Sequence, residues 1–177
     1  MSAGGKNNPM NRVKLGSVTV NISVGESGER LLNAAKILEQ LTGQKPIFRK
    51  AKKTIKSFKI RKGEPIAVVV TLRGERARDF LDKALEAVGR KLKKESFSTT
   101  GVFSFGIREH IDIPGTKYDP KLGIVGMDIC VTLEKPGYRV ARRRRKRSKV
   151  GRRQRVTPEE AMRFMVENFN VNIVGGE

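Results

Sequence analysis

Few residues in this chain could do covalent chemistry, and each lacks the company that chemistry needs. His110 is the one histidine, and in the run REHID it has Glu109 and Asp112 beside it. A carboxylate–imidazole pair can act as a general base or supply one metal ligand, but it needs a nucleophile or further ligands nearby. A loop hydrogen bond is the better reading of His110. Gly101-x-x-x-x-Gly106 has the glycine spacing of a phosphate loop, yet Ile107-Arg108 stands where Lys-Ser/Thr must hold phosphate and metal. Gly25-Glu26-Ser27-Gly28 lacks the third glycine of a dinucleotide fingerprint. Cys130, the one cysteine, alternates with apolar neighbours and reads as a small core residue of a strand. A single thiol excludes a disulfide framework and any multi-Cys zinc site, and it fits a reducing compartment. No catalytic residue, metal site or cofactor is expected.

The chemistry that remains is electrostatic. In 177 residues, 38 Lys+Arg face 18 Asp+Glu, a net charge of +20. Residues 45–62 hold nine basic residues and no acid, and residues 139–155 hold eleven and no acid. Those two segments account for the whole excess, so the rest of the chain is electrically balanced. Like charges at this density repel, and folding alone gives no compensating gain. A phosphate backbone supplies counter-charge, and release of its condensed ions drives binding. The partner expected is nucleic acid. On charge alone an anionic membrane or a heparin-like polymer is the lesser alternative. No apolar run reaches the length of a membrane span and the start lacks a signal-peptide core, and the partner adopted is nucleic acid with no membrane.

The elements that must position these charges follow from periodicity. Residues 1–11 read as disordered, and 12–177 as a single domain. Val18, Val20, Ile22 and Val24 alternate with Thr19, Asn21 and Ser23, a strand with one polar face. Leu31, Leu32, Ala35, Leu38 and Leu41 recur at helical spacing until Gly43 and Pro46. Ile47 and Phe48 begin a second strand, residues 66–72 form a third, and the basic stretch between them reads as the tip of a hairpin. Phe80, Leu81, Ala84, Leu85, Val88 and Leu92 predict an amphipathic helix from near Glu75, with Lys91, Lys93 and Lys94 at its C-terminus. Strands follow at 102–107 and 127–133. Thr157-Pro158-Glu159-Glu160 announces a last helix, with Thr at the N-cap, Pro at N1 and Glu reaching back from N3. Met162, Met165, Val166 and Phe169 form its apolar side, and residues 171–174 suggest a short edge strand. The fold class expected is α+β, a split β-α-β-β-α-β antiparallel sheet with helices on one face, a projecting basic hairpin arm and a basic C-terminal segment.

An open, partly polar sheet face suits RNA. Asn21 and Thr71 on strands, and Gln44 after Gly43, offer hydrogen bonds to unpaired bases or 2′-hydroxyls. Phe103 and Phe105 share one strand face and either pack in the core or stack on bases. From the residues alone two other classes stay open: an RNA-processing enzyme built on His110, Glu109 and Asp112, and an architectural nucleic-acid-binding protein using the arginine run.

Longer runs narrow the choice. VTVNISVGES (18–27), LTGQKPIFRKAKKTIKSFKIRKGEPI (41–66), VTLRGERARDFLDK (70–83), FGIREHIDIPGTKYDP (105–120) and GMDICVTLEKPGYRVA (126–141) resemble, in order, the L-five family of large-subunit ribosomal proteins. The arginine-rich segment and the helix beginning TPEEAMRFM resemble its archaeal and eukaryotic branch. The resemblance implies a non-catalytic cytoplasmic protein, monomeric within the ribosome, that binds 5S rRNA and attaches it to the large-subunit (23S-type) rRNA in the central protuberance. It further implies contact with P-site tRNA and, across an intersubunit bridge, with the small-subunit protein of the S-thirteen family. Carried onto this chain, the 5S-contacting residues are Asn21, Gln44, Thr71, Arg73 and Phe105. The tRNA arm is Lys50, Lys52, Lys53, Thr54, Lys56, Ser57, Lys59 and Arg61. The bridge involves Ile113, Pro114, Gly115, Lys117 and Tyr118. Contacts to rRNA phosphates are expected from Arg142, Arg143, Arg144, Arg145, Lys146, Arg147, Arg152 and Arg153.

Overall fold

The computed structural model describes residues 8–116 and 118–175. In chain order the elements are β1 (Lys14–Ser23), α1 (Glu29–Thr42), β2 (Ile47–Lys50), β3 (Pro65–Leu72), α2 (Glu75–Ala87), β4 (Lys91–Lys93), β5 (Val102–Ile107), β6 (Met127–Glu134), α3 (Arg139–Arg142), α4 (Pro158–Phe169) and β7 (Asn172–Val174). Five strands form one antiparallel sheet in the order β2-β3-β1-β6-β5. The α+β class and the split β-α-β-β-α-β arrangement therefore hold. The strand beside β1 that closes the pattern is β6, however, and β5 lies outside it on the edge. β6 suits the interior because Met127, Ile129, Val131 and Leu133 are all buried. β5 carries Gly106 as its next-to-last residue, and a glycine within a strand is better tolerated at an edge than in the interior.

The core lies on one side of the sheet. Val18, Val20 and Ile22 of β1 pair with Leu72, Val70 and Val68 of β3, all six buried. Leu31, Ala34 and Leu38 of α1 and Ala77, Phe80, Leu81, Ala84 and Leu85 of α2 pack over them. Leu32, assigned by periodicity to the apolar side of α1, is 54% exposed, while Ala34 and Ile37 are buried. The buried stripe is thus rotated by one position.

Helix α2 ends at Ala87, short of the expected Leu92. Gly89 (φ +64°) and Arg90 (φ +54°) turn the chain left-handed, and a helix cannot continue through two such residues. Lys91, Leu92 and Lys93 then form β4, with only Leu92 buried. β4 pairs in parallel with β7 in a separate two-stranded sheet, so Lys91 and Lys93 are strand residues and not a helix C-terminus. Arg90 secures this corner. Its guanidinium donates to Phe169 O at 2.7 Å and forms ion pairs with Asp82 and Glu86 at 3.0 and 2.9 Å.

The last helix starts as its sequence requires. Thr157 Oγ1 accepts from Glu160 N–H at 3.3 Å, and Glu160 Oε2 accepts from Thr157 N–H at 3.0 Å. Ala161, Met165 and Phe169 are buried, whereas Val166 faces out. Glu160 has a second task that periodicity does not reveal: it pairs at 2.7 Å with Lys135, which is itself buried just past β6. Lys135 Nζ also donates to Arg155 O at 3.4 Å, which ties the end of the basic segment to the helix cap.

The expectation of disorder over residues 1–11 falls mainly on residues 1–7, outside the described residues. Pro9–Asn11 form a turn capped by the Asn8 side chain, and Met10 O accepts from Gln154 Nε2 at 2.7 Å. Residues 9–11 are therefore placed by contact with the basic segment.

Candidate nucleic-acid interface

The second face of the sheet is largely polar, and at its Glu134 end it is met by Arg142 of α3. Register places Thr19 between Thr71 on β3 and Cys130 on β6, and Asn21 between Val69 and Asp128. Ser104 of β5 lies beside Cys130. The Thr19 and Thr71 hydroxyl oxygens are 3.4 Å apart, and Asn21 Nδ2 donates to Ser23 Oγ at 2.9 Å. Each group thus keeps part of its hydrogen-bonding capacity for a partner. The β2–β3 ladder begins at Ile47↔Val69, and Gln44 is exposed three residues before it. Arg73 is exposed one residue beyond β3. Asn21 and Thr71 therefore share the polar face, while Gln44 and Arg73 are exposed just outside the paired strands.

Phe105 does not join them. It pairs with Ile129, stacks 6.4 Å from Phe103, and is half-buried against the core, so its assignment to the polar-face set is corrected to a position on the core side of the sheet. Cys130 moves the other way. Alternation with buried Ile129 and Val131 gives it the opposite phase, so it lies half-buried on the polar face and not in the core. Thr19, Ser23, Ser104, Asp128 and Cys130 are further members of this face, outside the residues named as RNA contacts from the sequence. Their signal is present in the sequence as strand phase, shared with Asn21 or set against Ile129 or Phe103.

The β2–β3 hairpin continues beyond the sheet as a narrower ladder. Ala51 N–H donates to Glu64 O at 2.8 Å, and Ile55 and Ile60 exchange hydrogen bonds at 2.9 and 3.2 Å. A single turn at Lys56–Phe58 closes it, with Lys59 left-handed at φ +55°. Lys50, Lys52, Lys53, Thr54, Lys56, Ser57, Lys59 and Arg61 are all exposed here. Thr54 Oγ1 already accepts from Lys62 N–H at 3.0 Å, so its hydroxyl serves the hairpin itself. Glu64 braces the base: its carboxylate accepts from Arg61 N–H at 2.9 Å and from Ser27 Oγ at 2.5 Å, and these bonds hold its pKa below the ordinary value.

In the second basic segment Arg142 forms an ion pair with Glu134. Arg143 Nε donates to Lys146 O at 2.8 Å, and Ser148 N–H donates to Val140 O at 3.2 Å. Arg144, Arg145, Lys146, Arg147, Arg152 and Arg153 are exposed. Of the loop 113–121, Ile113 is buried in the core and is corrected from a surface to a packing residue. Pro114, Gly115 and Tyr118 are exposed, and Lys117 lies outside the described residues.

His110 is buried in a two-way contact with Val125: its N–H donates to Val125 O at 3.0 Å, and its Nδ1 accepts from Val125 N–H at 3.4 Å. Burial holds its pKa below the ordinary value. Among the described residues no three His, Cys, Asp or Glu side chains converge to hold a metal, and no helix is long and apolar enough to cross a membrane.

The chain matches the family model of ribosomal protein L5 over residues 8–61 and the model of that family's C-terminus over residues 65–164. It is 56% identical over 170 residues to large ribosomal subunit protein uL5 of Sulfurisphaera tokodaii, covering 96% of each chain. It is 54% identical over 176 residues to uL5 of Sulfolobus acidocaldarius, covering 99% of each. Against uL5 of Tetrahymena thermophila it is 49% identical over 168 residues, 95% of this chain and 97% of the relative. With both parts of the fold matched in order, and relatives aligned over nearly their whole length, this chain belongs to the L5 family: it is a structural protein of the large ribosomal subunit and not an enzyme.

Proposed function

We propose that this chain binds 5S rRNA on its open sheet face and attaches it to large-subunit rRNA through the arginine-rich segment 139–155. The observation that carries this reading is the division of labour between a near-neutral polar face and two acid-free basic segments beside it. Phosphate contacts position an RNA-binding protein, whereas hydrogen bonds to base edges and 2′-hydroxyls select the RNA. Thr19, Asn21, Ser23, Thr71 and Ser104 are groups of the second kind. Asp128, opposite Asn21, repels phosphate there and favours donors such as base amines or a 2′-hydroxyl. Gln44 and Arg73 add contacts just outside the paired strands. The hairpin tip 50–61 reaches P-site tRNA with Lys52, Lys53, Lys56 and Lys59 on phosphates. Pro114, Gly115 and Tyr118 face the S-thirteen-family protein of the small-subunit head.

The test is binding of the full chain to 5S rRNA, bulk tRNA and a length-matched RNA duplex across a salt series. The slope of log affinity on log salt counts phosphates neutralised, roughly 0.7–0.9 for each. Retention of 5S rRNA at salt that strips the other two supports selective recognition by the sheet face. Parallel loss of all three would show that charge alone binds, and the 5S assignment would fall.

A further inference from the structure

The hairpin tip carries something that its charge does not explain. Phe58 is 71% exposed and Ile55 43% exposed, both within a stretch of nine cations and no acid. A lysine-rich tip built only to neutralise phosphate gains nothing from an exposed benzyl group, and a partner-free apolar side chain there is a cost in water. The tip is also held in one shape. The Ile55–Ile60 hydrogen bonds, the Lys56–Phe58 turn and the left-handed Lys59 fix the backbone on both sides of Phe58. Below them Glu64 ties Arg61 to Ser27 of the β1–α1 loop. A ring on a braced turn loses little freedom on binding.

We infer that Phe58 is a stacking platform that lies flat on an unstacked RNA base, with the surrounding lysines holding the flanking phosphates. The inference rests on the reading that this tip touches tRNA, and it names what the tip recognises there: a base face and not only a backbone. Aromatic–base stacking accepts any base, because every base has a π-face, and so it suits a contact made with many different tRNAs.

The chain contains no tryptophan, so F58W introduces a single indole at the point in question, which can be excited at wavelengths where the two tyrosines do not absorb. The full-length F58W protein is titrated with bulk tRNA and, separately, with inorganic polyphosphate, which has the charge but no bases. The expected result is strong quenching by tRNA and little by polyphosphate. Binding of tRNA to F58A should weaken roughly five- to a hundredfold with an unchanged salt slope. F58L, apolar but without a π-face, should lose nearly as much. Phe58 is exposed, so thermal unfolding of all three variants should match the parent. Equal quenching by both polyanions, or F58L binding like the parent, overturns the stacking inference. If F58W is not quenched while K53A and K56A still lower the salt slope, the tip binds tRNA by charge alone: the inference fails and the tRNA reading stands. If F58W is not quenched and K53A and K56A leave the slope unchanged, the tip does not touch tRNA and both fall.

Discussion

Replacing Glu160 with Gln should destabilise the protein more than replacing Lys135 with Met, although the two side chains form one ion pair. Their environments differ: Lys135 keeps 5% of its side-chain exposure and Glu160 keeps 38%, at a separation of 2.7 Å. In E160Q the amide oxygen can still accept Thr157 N–H, so the helix cap survives. What goes is the charge that compensates a buried ammonium. Breaking a fully buried pair from one side costs roughly 3–5 kcal/mol, and water reaching the half-open Glu160 position reduces this to about 1–3 kcal/mol. At roughly 2–4 °C per kcal/mol for a chain of this size, Tm should fall by roughly 2–12 °C. K135M removes the buried charge itself, fills a similar volume and leaves Glu160 facing solvent, a change within about 1 kcal/mol. Thermal unfolding followed by circular dichroism at neutral pH separates the two. Burial pushes the Glu160 carboxyl up, but Lys135, the Thr157 N–H and the nearby Arg163 outweigh it and leave it below its ordinary value of 4.5. A carboxyl with a lowered folded pKa contributes its stability in full above the unfolded value and loses it as pH falls through the folded one. The gap between parent and E160Q should therefore narrow on acidification below 4.5. A K135M variant as damaged as E160Q, or a gap that does not move with pH, would refute the electrostatic account and leave packing of the Lys135 stem as the cause.

Three further outcomes are expected. N21A and T71A should each lower 5S rRNA affinity roughly two- to tenfold with an unchanged salt slope, since they remove hydrogen bonds and no charge; a changed slope would place phosphates on that face. R144A combined with R145A should instead lower the slope for large-subunit rRNA fragments by roughly 0.7–0.9 for each phosphate no longer neutralised; an unaltered slope would take these residues off the RNA. G101A should be severely destabilising, because Gly101 sits at φ +73° and an added Cβ would stand 2.6 Å from the Cβ of buried Val156. Left-handed strain and overpacking together amount to roughly 2–5 kcal/mol, and a calorimetric scan showing a parental Tm would contradict that packing.

What is legible from residue types is whatever local pattern decides. The capping box of α4 is written in Thr157 to Glu160, and the polar phase of β1 in Thr19, Asn21 and Ser23. The segments that mislead are those settled by distant neighbours. Nothing near Lys91 says that it will lie beside Asn172, so an apolar Leu92 at helical spacing from Val88 reads as helix. The phase of Cys130 is readable from Ile129 and Val131, but a small sulfur-bearing side chain fits a core equally well. Resemblance puts Phe105 and Ile113 on the surface, and packing against Ile129 and the core decides otherwise. The Lys135–Glu160 pair is invisible because its members belong to elements with no sequence relation to one another.

The central place of β1 bears on how the chain is made. β1 is finished early in synthesis, yet its two partners arrive far apart in time: β3 ends at Leu72, and β6 begins only at Met127. At about 5–20 residues per second that interval lasts roughly 3–11 s. Through it the β1 edge of a three-strand β2-β3-β1 sheet, with Val18, Val20 and Ile22 on its apolar side, stays open to other chains. Such an edge is a template for mispairing. In the finished fold that edge is covered by β6, and the outer position on the opposite side belongs to β2, whose Arg49 and Lys50 discourage strand addition. The nascent chain has no such guard on β1, so the demand for a chaperone, or for early RNA to screen the basic hairpin, should peak between the emergence of β3 and that of β6.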